Sequence, residues 1–361
     1  MMSIGRSFRV TLFGSSHGPE VGATIEGVPV GREVDVARLQ RALDRRRPVG
    51  RTLATRRREA DRLIVDSGIV AGIATGGPIR LHVANTDVRG SDYERLRSTP
   101  RPGHADYPAR VRFGPEADLA GGGIFSGRMT VGLVAAGAIA TGLLGPLGID
   151  IAGFSRSIGG ETGSVAADLD LEELRRRRDL NEVGCPDERV AGRMTRAIAA
   201  TRRAGDSLGG IVEVRARGVP VGLGEPFFDS LESAIAHLAF SVPGVKGVEF
   251  GAGFAAARMH GSEHNDPFDL QNDRIVTLSN HAGGILGGLA DGADLVARFA
   301  IKPTSSIARP QRTVDLATRK PVTIRVTGRH DPCIVPRAVP VLESVVAIAL
   351  TDLAFVGGFL S

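Results

Sequence analysis

The order of apolar and polar residues predicts secondary structure along most of the chain. Apolar residues that alternate with polar ones, or form short β-branched runs, predict strands, and apolar residues three and four apart predict helices. The predicted strands are residues 7–13, 21–28, 63–69, 78–83, 210–216, 247–254, 274–279, 295–301 and 322–327. The predicted helices are residues 34–47, 130–144, 171–179, 187–204, 231–240 and 335–356. Because the two kinds do not alternate regularly, the pattern favours an α+β fold over a doubly wound parallel sheet. No linker or charge block marks a boundary, so we predict one large domain over residues 1–361.

Two stretches depart from this regular pattern. Residues 84–123 carry much Gly, Pro and charge with little periodicity, and a loop of that length in a compact domain is usually functional. Residues 131–149 form the most apolar stretch, but it is rich in Gly and Ala and is interrupted by Pro146. A membrane-spanning helix needs about 20 strongly apolar residues. We therefore predict a buried helix here and no membrane partner.

The composition is ordinary for a globular protein. The hydrophobic fraction is 42% and the charged fraction 24%, which allows a core of normal size. The N-terminus lacks the apolar region of a signal peptide, and two cysteines are too few for a disulfide framework or a structural zinc site. These features favour a reducing cytoplasm. The chain also lacks the HExxH, CxxC and DxDxDG motifs, so we predict no metal site.

The positive charge is carried almost entirely by arginine. The formal net charge is +5, and the only lysines are Lys246, Lys302 and Lys320. Arginine binds phosphates and carboxylates through paired hydrogen bonds. The segment 45–62 is especially rich in it, which is consistent with a solvated face, with nucleic-acid binding or with a site for a multiply anionic small molecule. No aromatic residue interleaves with these arginines to stack on bases, so we predict no nucleic-acid partner.

Two histidines lie in loops of small residues. His17 occurs in GSSHG directly after a predicted strand, and His104 occurs in RPGHAD. A histidine between small residues has room for a ligand, and its ordinary pKa of about 6.5 suits proton transfer. A plain surface or hydrogen-bonded histidine would give the same pattern. Sequence spacing alone does not pair these two residues.

The segment Arg329-His330-Asp331-Pro332 follows a predicted strand and precedes the last helix. Proline restrains the residue before it to an extended conformation, and residues two apart on an extended segment point to the same side. Arg329 and Asp331 can therefore face one site together. A strand-to-helix turn with Asp331 near the helix N-terminus explains the segment equally well.

Two further segments suit anions. Lys302-Pro303-Thr304-Ser305-Ser306 gathers a cation and three hydroxyls after a strand, either as a phosphate cradle or as a plain turn. The run 121–123 is three glycines, and it precedes Ser126 and Arg128 at the start of the buried helix. Free N–H groups and the helix dipole favour an anion there. A second glycine-rich segment, 282–288, is weaker evidence because close backbone packing explains it.

These segments stand in an order that resembles the chorismate synthase family. The resemblance covers residues from about 6 to 355. It rests on GSSHGPEVGATIEGVPVG, RPGHADY, GGG-x-x-SGR-x-T, GDSLGG, GVPVGLGEPFFD, KGVEFG, NHAGGILGG, KPTSSI and RHDPCIVPRAVPVLE. The last block and the KPTSSI block are the most specific.

The resemblance implies a fold and a reaction. The fold is a β-α-β sandwich with helices between antiparallel sheets. The reaction is the 1,4-elimination of phosphate from 5-enolpyruvylshikimate 3-phosphate to give chorismate, a step of the shikimate pathway of aromatic amino-acid biosynthesis. It requires reduced FMN without net redox change, and NADPH is a candidate source of the reducing equivalents. The resemblance also implies a cytoplasmic homotetramer.

The resemblance assigns roles to individual residues. His17 matches a histidine that protonates the reduced flavin, His104 a histidine near the leaving phosphate, and Asp331 an acid near flavin N5 that assists proton removal. The positions implied to line the substrate are Ser16, Arg46, Arg51, Arg101, Arg128 and Arg329. The positions implied on the flavin side are Ser126, Gly287, Lys302, Pro303, Thr304, Ser305, Ser306 and Arg329.

The chain departs from the family pattern mainly on the flavin side. Ser15 stands where the family has Glu, Ile124 and Phe125 stand where it has Arg and Ser, and Met129 stands for a Glu. Pro243 begins a pair that replaces Asn-Ala. Losing a charged hydrogen bond costs about 1.5–3 kcal/mol. The alternative hypothesis is therefore a divergent paralogue that binds flavin or a related anion without forming chorismate.

Overall fold

A computed structural model describes residues 2–47, 60–86, 98–114, 119–326 and 330–361. Its strands in chain order are β1 (Ser3–Ile4), β2 (Arg9–Gly14), β3 (Glu20–Glu26), β4 (Ile64–Ser67), β5 (Ile69–Val70), β6 (Ile73–Ala74), β7 (Ile79–Ala84), β8 (Asp150–Ile158), β9 (Glu161–Thr162), β10 (Gly210–Arg217), β11 (Val245–Phe250), β12 (Phe268–Gln271), β13 (Arg274–Thr277), β14 (Ile285–Leu286), β15 (Leu289–Ala290), β16 (Leu295–Ile301), β17 (Gln311–Asp315) and β18 (Lys320–Ile324). Its α-helices are α1 (Val36–Arg46), α2 (Asp106–Phe113), α3 (Thr130–Leu144), α4 (Leu171–Arg178), α5 (Glu188–Arg203), α6 (Leu231–Ser241), α7 (Gly261–His264) and α8 (Val335–Val356).

Two five-stranded antiparallel sheets form the outer layers. The first has the strand order β1-β2-β3-β7-β4, and the second has the order β11-β16-β10-β8-β9. Alternate residues of each strand face inward, as a half-buried strand requires. In the first sheet Val21 lies opposite Val83, and in the second Val212 lies opposite Phe299; all four side chains are buried. The remaining strands pair as short hairpins.

The helices α3 and α8 lie between the sheets. α3 packs on the first sheet, α8 packs on the second, and the two helices pack on each other. Small residues make this close packing possible. A Cβ at Gly137 would lie 2.2 Å from the Cβ of Ser344, and one at Gly132 would lie 2.6 Å from the carbonyl oxygen of Gly22. The predicted α+β sandwich with helices between antiparallel sheets is confirmed.

Both central helices are largely apolar. In length and composition, segments 127–147 and 335–356 could each cross a membrane. Each is mostly buried inside the sandwich, and a helix that is hydrophobic all round is also typical of a core position. The prediction of a buried helix in the first segment is therefore confirmed.

Several parts of the secondary-structure prediction were wrong or incomplete. The central strand β8 was missed because it is buried at consecutive positions and does not alternate regularly between apolar and polar residues. The segment 84–123, predicted as a loop, contains helix α2 and a 3₁₀ turn at Ala120–Phe125. The strands β12 and β17 were also missed. β12 is exposed along its whole length, and β17 contains a single apolar residue, a valine.

Candidate active site

The two loop histidines meet at the three-glycine turn. His17 follows β2, and Gly121, Gly122 and Gly123 have φ values of 58°, 93° and 53°. A Cβ at Gly121 would lie 1.8 Å from His17 Cε1, and a Cβ at Gly122 would lie 3.3 Å from His104 Nε2. Only glycine combines this left-handed backbone with such a close approach. The turn therefore holds the two imidazoles against neighbouring residues, which spacing in the sequence could not show.

His104 contacts the ion pair between Asp106 and Arg101. Its Nδ1 lies 2.6 Å from Asp106 Oδ1, and Asp106 also accepts from the Nε and Nη2 of Arg101 at 2.7 and 2.8 Å. The Asp106 carboxylate is almost fully buried. Burial alone would raise its pKa, but the hydrogen bonds from Arg101 and His104 hold that pKa far below its usual range.

The Lys302–Ser306 segment packs on the loop that carries His104. Lys302 Nζ donates to the carbonyl oxygen of Gly103 at 2.9 Å, and Ser305 Oγ donates to the same oxygen at 2.6 Å. Ser306 Oγ accepts from Arg101 Nη1 at 3.2 Å. Burial and the charge of Lys246 lower the pKa of Lys302. Among the described residues, the hydrogen-bond partners of the Lys302 ammonium are a carbonyl and a hydroxyl, both neutral.

Asp331 lies at the other end of this segment. Thr304 Oγ1 donates to the Asp331 carbonyl at 3.0 Å, and Arg337 in the first turn of α8 contacts the Asp331 carboxylate. The Nε of Arg337 donates to the carbonyl oxygen of Arg46 at 3.2 Å. The last turn of α1 and the first turn of α8 are thereby fixed next to Asp331.

Arg46 and Arg128 share one buried carboxylate. Asp61 accepts from Arg46 Nη2 at 2.9 Å and contacts Arg128 through its other oxygen. Burial and the neighbouring Arg337 lower the pKa of Arg46 to about 10. Burial would raise the pKa of Asp61, but the two guanidinium groups hold it below its ordinary value. Arg128 Nε also donates to Asn85 at 2.8 Å.

These contacts close into a ring, which we call the arginine ring. Asn85 donates to the carbonyl oxygen of Ser15, and the next residue, Ser16, donates its N–H to Gly123 beside the histidines. The ring contains five cationic side chains and three carboxylates among the described residues: Arg46, Arg101, Arg128, Lys302 and Arg337, with Asp61, Asp106 and Asp331. It therefore has an excess of positive charge.

Ser16 carries an unsatisfied polar atom at this site. The residue is fully buried, and its Oγ has no hydrogen-bond partner among the described residues. Such a group costs free energy unless a ligand or water completes it. A ligand seated against the three-glycine turn could do so.

The structure brings most of the sequence-predicted residues together. The predicted residues in or beside the arginine ring are Ser16, His17, Arg46, Arg101, His104, Ser126, Arg128, Lys302, Pro303, Thr304, Ser305, Ser306 and Asp331. Ser126 caps the turn before α3 by accepting from the Arg128 N–H. Arg51 and Arg329 lie outside the described residues. Gly287 lies in the turn between β14 and β15, whose contacts run to residues 223–231.

Sequence reasoning missed four residues of the ring. Asp61, Asn85 and Asp106 compensate or orient cations, and Arg337 contacts Asp331. Asp106 had a usable signal, because it stands two residues after His104. Arg337 stands in the RHDPCIVPRAVPVLE block that was singled out, although only its first residues were interpreted.

Comparison with known proteins gives a consistent result. The family model described as "Chorismate synthase" matches residues 8–355. The chorismate synthase of Korarchaeum cryptofilum (strain OPF8) is 50% identical over 348 residues, covering 96% of each chain. That of Methanosarcina barkeri (strain Fusaro / DSM 804) is 47% identical, covering 99% of this chain and 97% of its own. A solved structure titled "Crystal Structure of Chorismate Synthase" aligns with a TM-score of 0.76 at 27% identity, covering 98% and 92%.

The fold, the site and these relatives define the class of the protein. It is an α+β enzyme, a lyase that acts on a phosphate-bearing small molecule. The chain belongs to the chorismate synthase family.

Proposed function

We propose that this enzyme converts 5-enolpyruvylshikimate 3-phosphate into chorismate and inorganic phosphate, with reduced FMN bound. The observation that carries the proposal is the arginine ring, which holds excess positive charge next to His17, His104 and Asp331. The substrate carries two carboxylates and a phosphate. Preorganised cations stabilise charge that develops on a departing phosphate, and this is often the largest single contribution to catalysis.

The site has a suitable side chain for each proton transfer of the proposed reaction. A proton can be held at His104 for the departing phosphate oxygen, and His17 can supply one to the flavin. The Asp331 carboxylate can assist removal of the substrate proton. His104 and Asp331 are linked through the Lys302–Ser306 segment, which contacts both of their loops. Such rigid spacing supports elimination, because one bound substrate must lose a phosphate and a proton in an ordered geometry.

Features of the described residues fit a reduced flavin. Lys302 offers a positive charge whose present partners are neutral, and Ser16 Oγ offers a buried donor. The three-glycine turn, which has no side chains of its own, lets His17 and His104 lie against its backbone beside these groups. We infer that Lys302, Thr304, Ser305, Ser306, Ser126, Gly287 and Arg329 lie on the flavin side. Bound reduced FMN would supply an electron-rich ring that stabilises transient charge on the substrate.

The remaining family expectations belong to the same proposal. They are a shikimate-pathway role in the cytoplasm, a homotetrameric assembly, substrate contacts from Arg51 and Arg329, and NADPH as the source of reduction. The absence of a nucleic-acid partner and a membrane partner stays a prediction of the sequence.

An anaerobic assay tests the reaction. The purified chain is mixed with dithionite-reduced FMN and 5-enolpyruvylshikimate 3-phosphate, and chorismate absorbance and released phosphate are followed together. We expect equimolar products. Folded protein that gives neither product at saturating reduced FMN would refute the proposal.

One observation favours a second candidate, a paralogue that binds an anion without forming chorismate. Ile124 is 41% exposed beside the three-glycine turn, and the ring of Phe125 lies 6.2 Å from that of Phe113. These apolar side chains stand where the family has an Arg and a Ser. The paralogue predicts binding of the substrate by calorimetry with no phosphate release in the same assay.

A further inference from the structure

His104 belongs to an Arg–Asp–His arrangement that no proton-transfer role assigned above requires. Asp106 Oδ1 lies 2.6 Å from His104 Nδ1, on the side of the imidazole away from Gly122. Asp106 Oδ2 accepts from both the backbone N–H and the Nε of Arg101, at 3.0 and 2.7 Å. The carboxylate is thus held by three donors from a single residue, and its remaining interaction is with the histidine.

This geometry fixes which nitrogen of His104 carries a permanent proton. An ionised carboxylate only accepts hydrogen bonds, so the nitrogen next to Asp106 must be a donor. Nδ1 is therefore the N–H. Nε2 accepts from Arg101 Nη2 at 3.3 Å in the neutral ring and is the nitrogen that takes up and releases the second proton. Nε2 is also the ring atom that lies nearest a Cβ built at Gly122, at 3.3 Å, in the three-glycine turn.

We propose that Asp106 is a positioning residue that keeps the Nδ1 proton of His104 in place, so that Nε2 exchanges the proton with the leaving phosphate. Arg101 fixes Asp106, and its guanidinium serves this purpose rather than the direct grip of an anion. Its Nε donates to Asp106, its Nη1 to Ser306, and its Nη2 to Asp106 and to His104 Nε2. The inference rests on the proposed elimination for its catalytic consequence, but its structural part stands without it.

The proton and electron balance of the step is simple. When the carbon–oxygen bond to the phosphate breaks, its electron pair goes to the phosphate oxygen. The pair of the carbon–hydrogen bond, whose proton Asp331 helps to remove, shifts through the ring double bond to form the new diene. The Nε2 proton of a protonated His104 moves to that oxygen, and the imidazole becomes neutral with its remaining proton on Nδ1. Asp106 stabilises the charged imidazolium before the step and defines the neutral tautomer after it.

The substitution Asp106→Asn keeps the size and shape of the side chain but removes its negative charge. Two donors of Arg101 face Oδ2 and one faces Oδ1, so we expect the amide oxygen at the Oδ2 position and the amide nitrogen against His104 Nδ1. Nδ1 must then become the acceptor, and the proton moves to Nε2. A misplaced tautomer removes general acid–base catalysis, which is worth about 10²–10⁴-fold in rate. We expect kcat to fall by that factor with little change in KM.

The test reads the tautomer directly. Solid-state ¹⁵N NMR of histidine-labelled protein distinguishes protonated from unprotonated ring nitrogens, and the His104 signals are those lost in His104→Gln. We expect unprotonated Nε2 in the neutral wild type and unprotonated Nδ1 in Asp106→Asn. The matched control is Asp66→Asn, which alters another aspartate–histidine pair, 2.8 Å from His82 Nδ1, and should leave turnover unchanged.

Two results would overturn the inference. One is a wild-type spectrum with the neutral His104 proton on Nε2, a measurement that does not depend on the folding of Asp106→Asn. The other is an Asp106→Asn protein with the exchanged tautomer and wild-type kcat. If wild-type protein forms no chorismate but shows the expected tautomer, the proposed function fails while the assignment of Asp106 to His104 survives.

Discussion

Arg337 contacts the carboxylate of Asp331 and, through its Nε, donates to the carbonyl oxygen of Arg46 at 3.2 Å. One side chain therefore connects the first turn of α8, the last turn of α1 and the acid proposed to assist proton removal. Asp331 has its side chain largely buried, so its orientation depends on such fixed contacts. A planar guanidinium can hold two acceptors at once in a way that a lysine ammonium cannot.

Replacing Arg337 should reduce turnover because Asp331 loses its orientation. A hydrogen bond to a charged group is worth about 1.5–3 kcal/mol, so Arg337→Gln should lower kcat by roughly 10- to 150-fold. Arg337→Lys restores the charge but not the second contact and should recover part of the rate. Steady-state kinetics with reduced FMN measures both. Arg193→Gln, which breaks an exposed pair with Glu161, is the control and should act like wild type. Equal rates for all three variants would exclude the role.

The two histidines should affect chemistry more than cofactor binding. His17→Ala and His104→Ala each remove a proton-transfer group, so each should lower turnover by about 10²–10⁴-fold. Neither imidazole is needed to hold the flavin, so FMN affinity measured by fluorescence titration should change little. His82→Ala, in the first sheet, serves as the control because it lies in a separate ion-pair cluster. Wild-type turnover in both active-site variants would remove this mechanism.

The sequence predicted elements well where local pattern and tertiary structure agree. The helices α3 and α8 and the strand β16 have the predicted bounds, because an apolar run ends there at Gly or Pro or at a change of period. It failed for β8, which is buried at consecutive positions and lacks the apolar–polar alternation that marks a half-buried strand.

The residues of the site also divide into those that the sequence predicted and those that it did not. Residue types and local motifs identified His17, His104 and Asp331 as candidates, and the family resemblance grouped them. The contact that joins the first two is made by Gly121 and Gly122, which carry no side-chain signal of their own. The role of Asp61 as the carboxylate that compensates two arginines could not be predicted from the sequence. Its partners are distant in the sequence and approach it only in the folded structure.

Asp61 should make a large, pH-dependent contribution to stability. It compensates two buried arginines, and removing one partner of a buried ion pair costs about 3–5 kcal/mol. Its pKa is lower in the folded protein than in the unfolded chain, so its contribution is full above the unfolded value of about 3.9 and is lost as pH falls through the folded value. Asp61→Asn should therefore lower the free energy of unfolding near pH 7, and the difference from wild type should shrink below about pH 4.

Urea unfolding across this pH range measures the effect of Asp61. The control is Asp269→Asn, at an exposed position of β12, which should change the free energy of unfolding very little at any of these pH values. A difference between Asp61→Asn and wild type that stays constant from pH 7 to about pH 3 would contradict the assignment, because the carboxylate must be charged to act.

Restoring the family side chains at Ile124 and Phe125 should strengthen flavin binding. Ile124 is partly exposed next to the three-glycine turn, so an arginine there can reach an anion without first being buried. One charged hydrogen bond is worth about 1.5–3 kcal/mol, so Ile124→Arg should tighten reduced-FMN binding by about tenfold or more. Phe125→Ser breaks the contact with Phe113 and adds a hydroxyl, so it should add a smaller gain. Anaerobic fluorescence titration gives both affinities, and Ile64→Arg, an exposed position in β4, controls for added charge. If Ile124→Arg binds FMN no better than Ile64→Arg does, this position does not face the flavin, and the departure from the family pattern has no consequence for the cofactor.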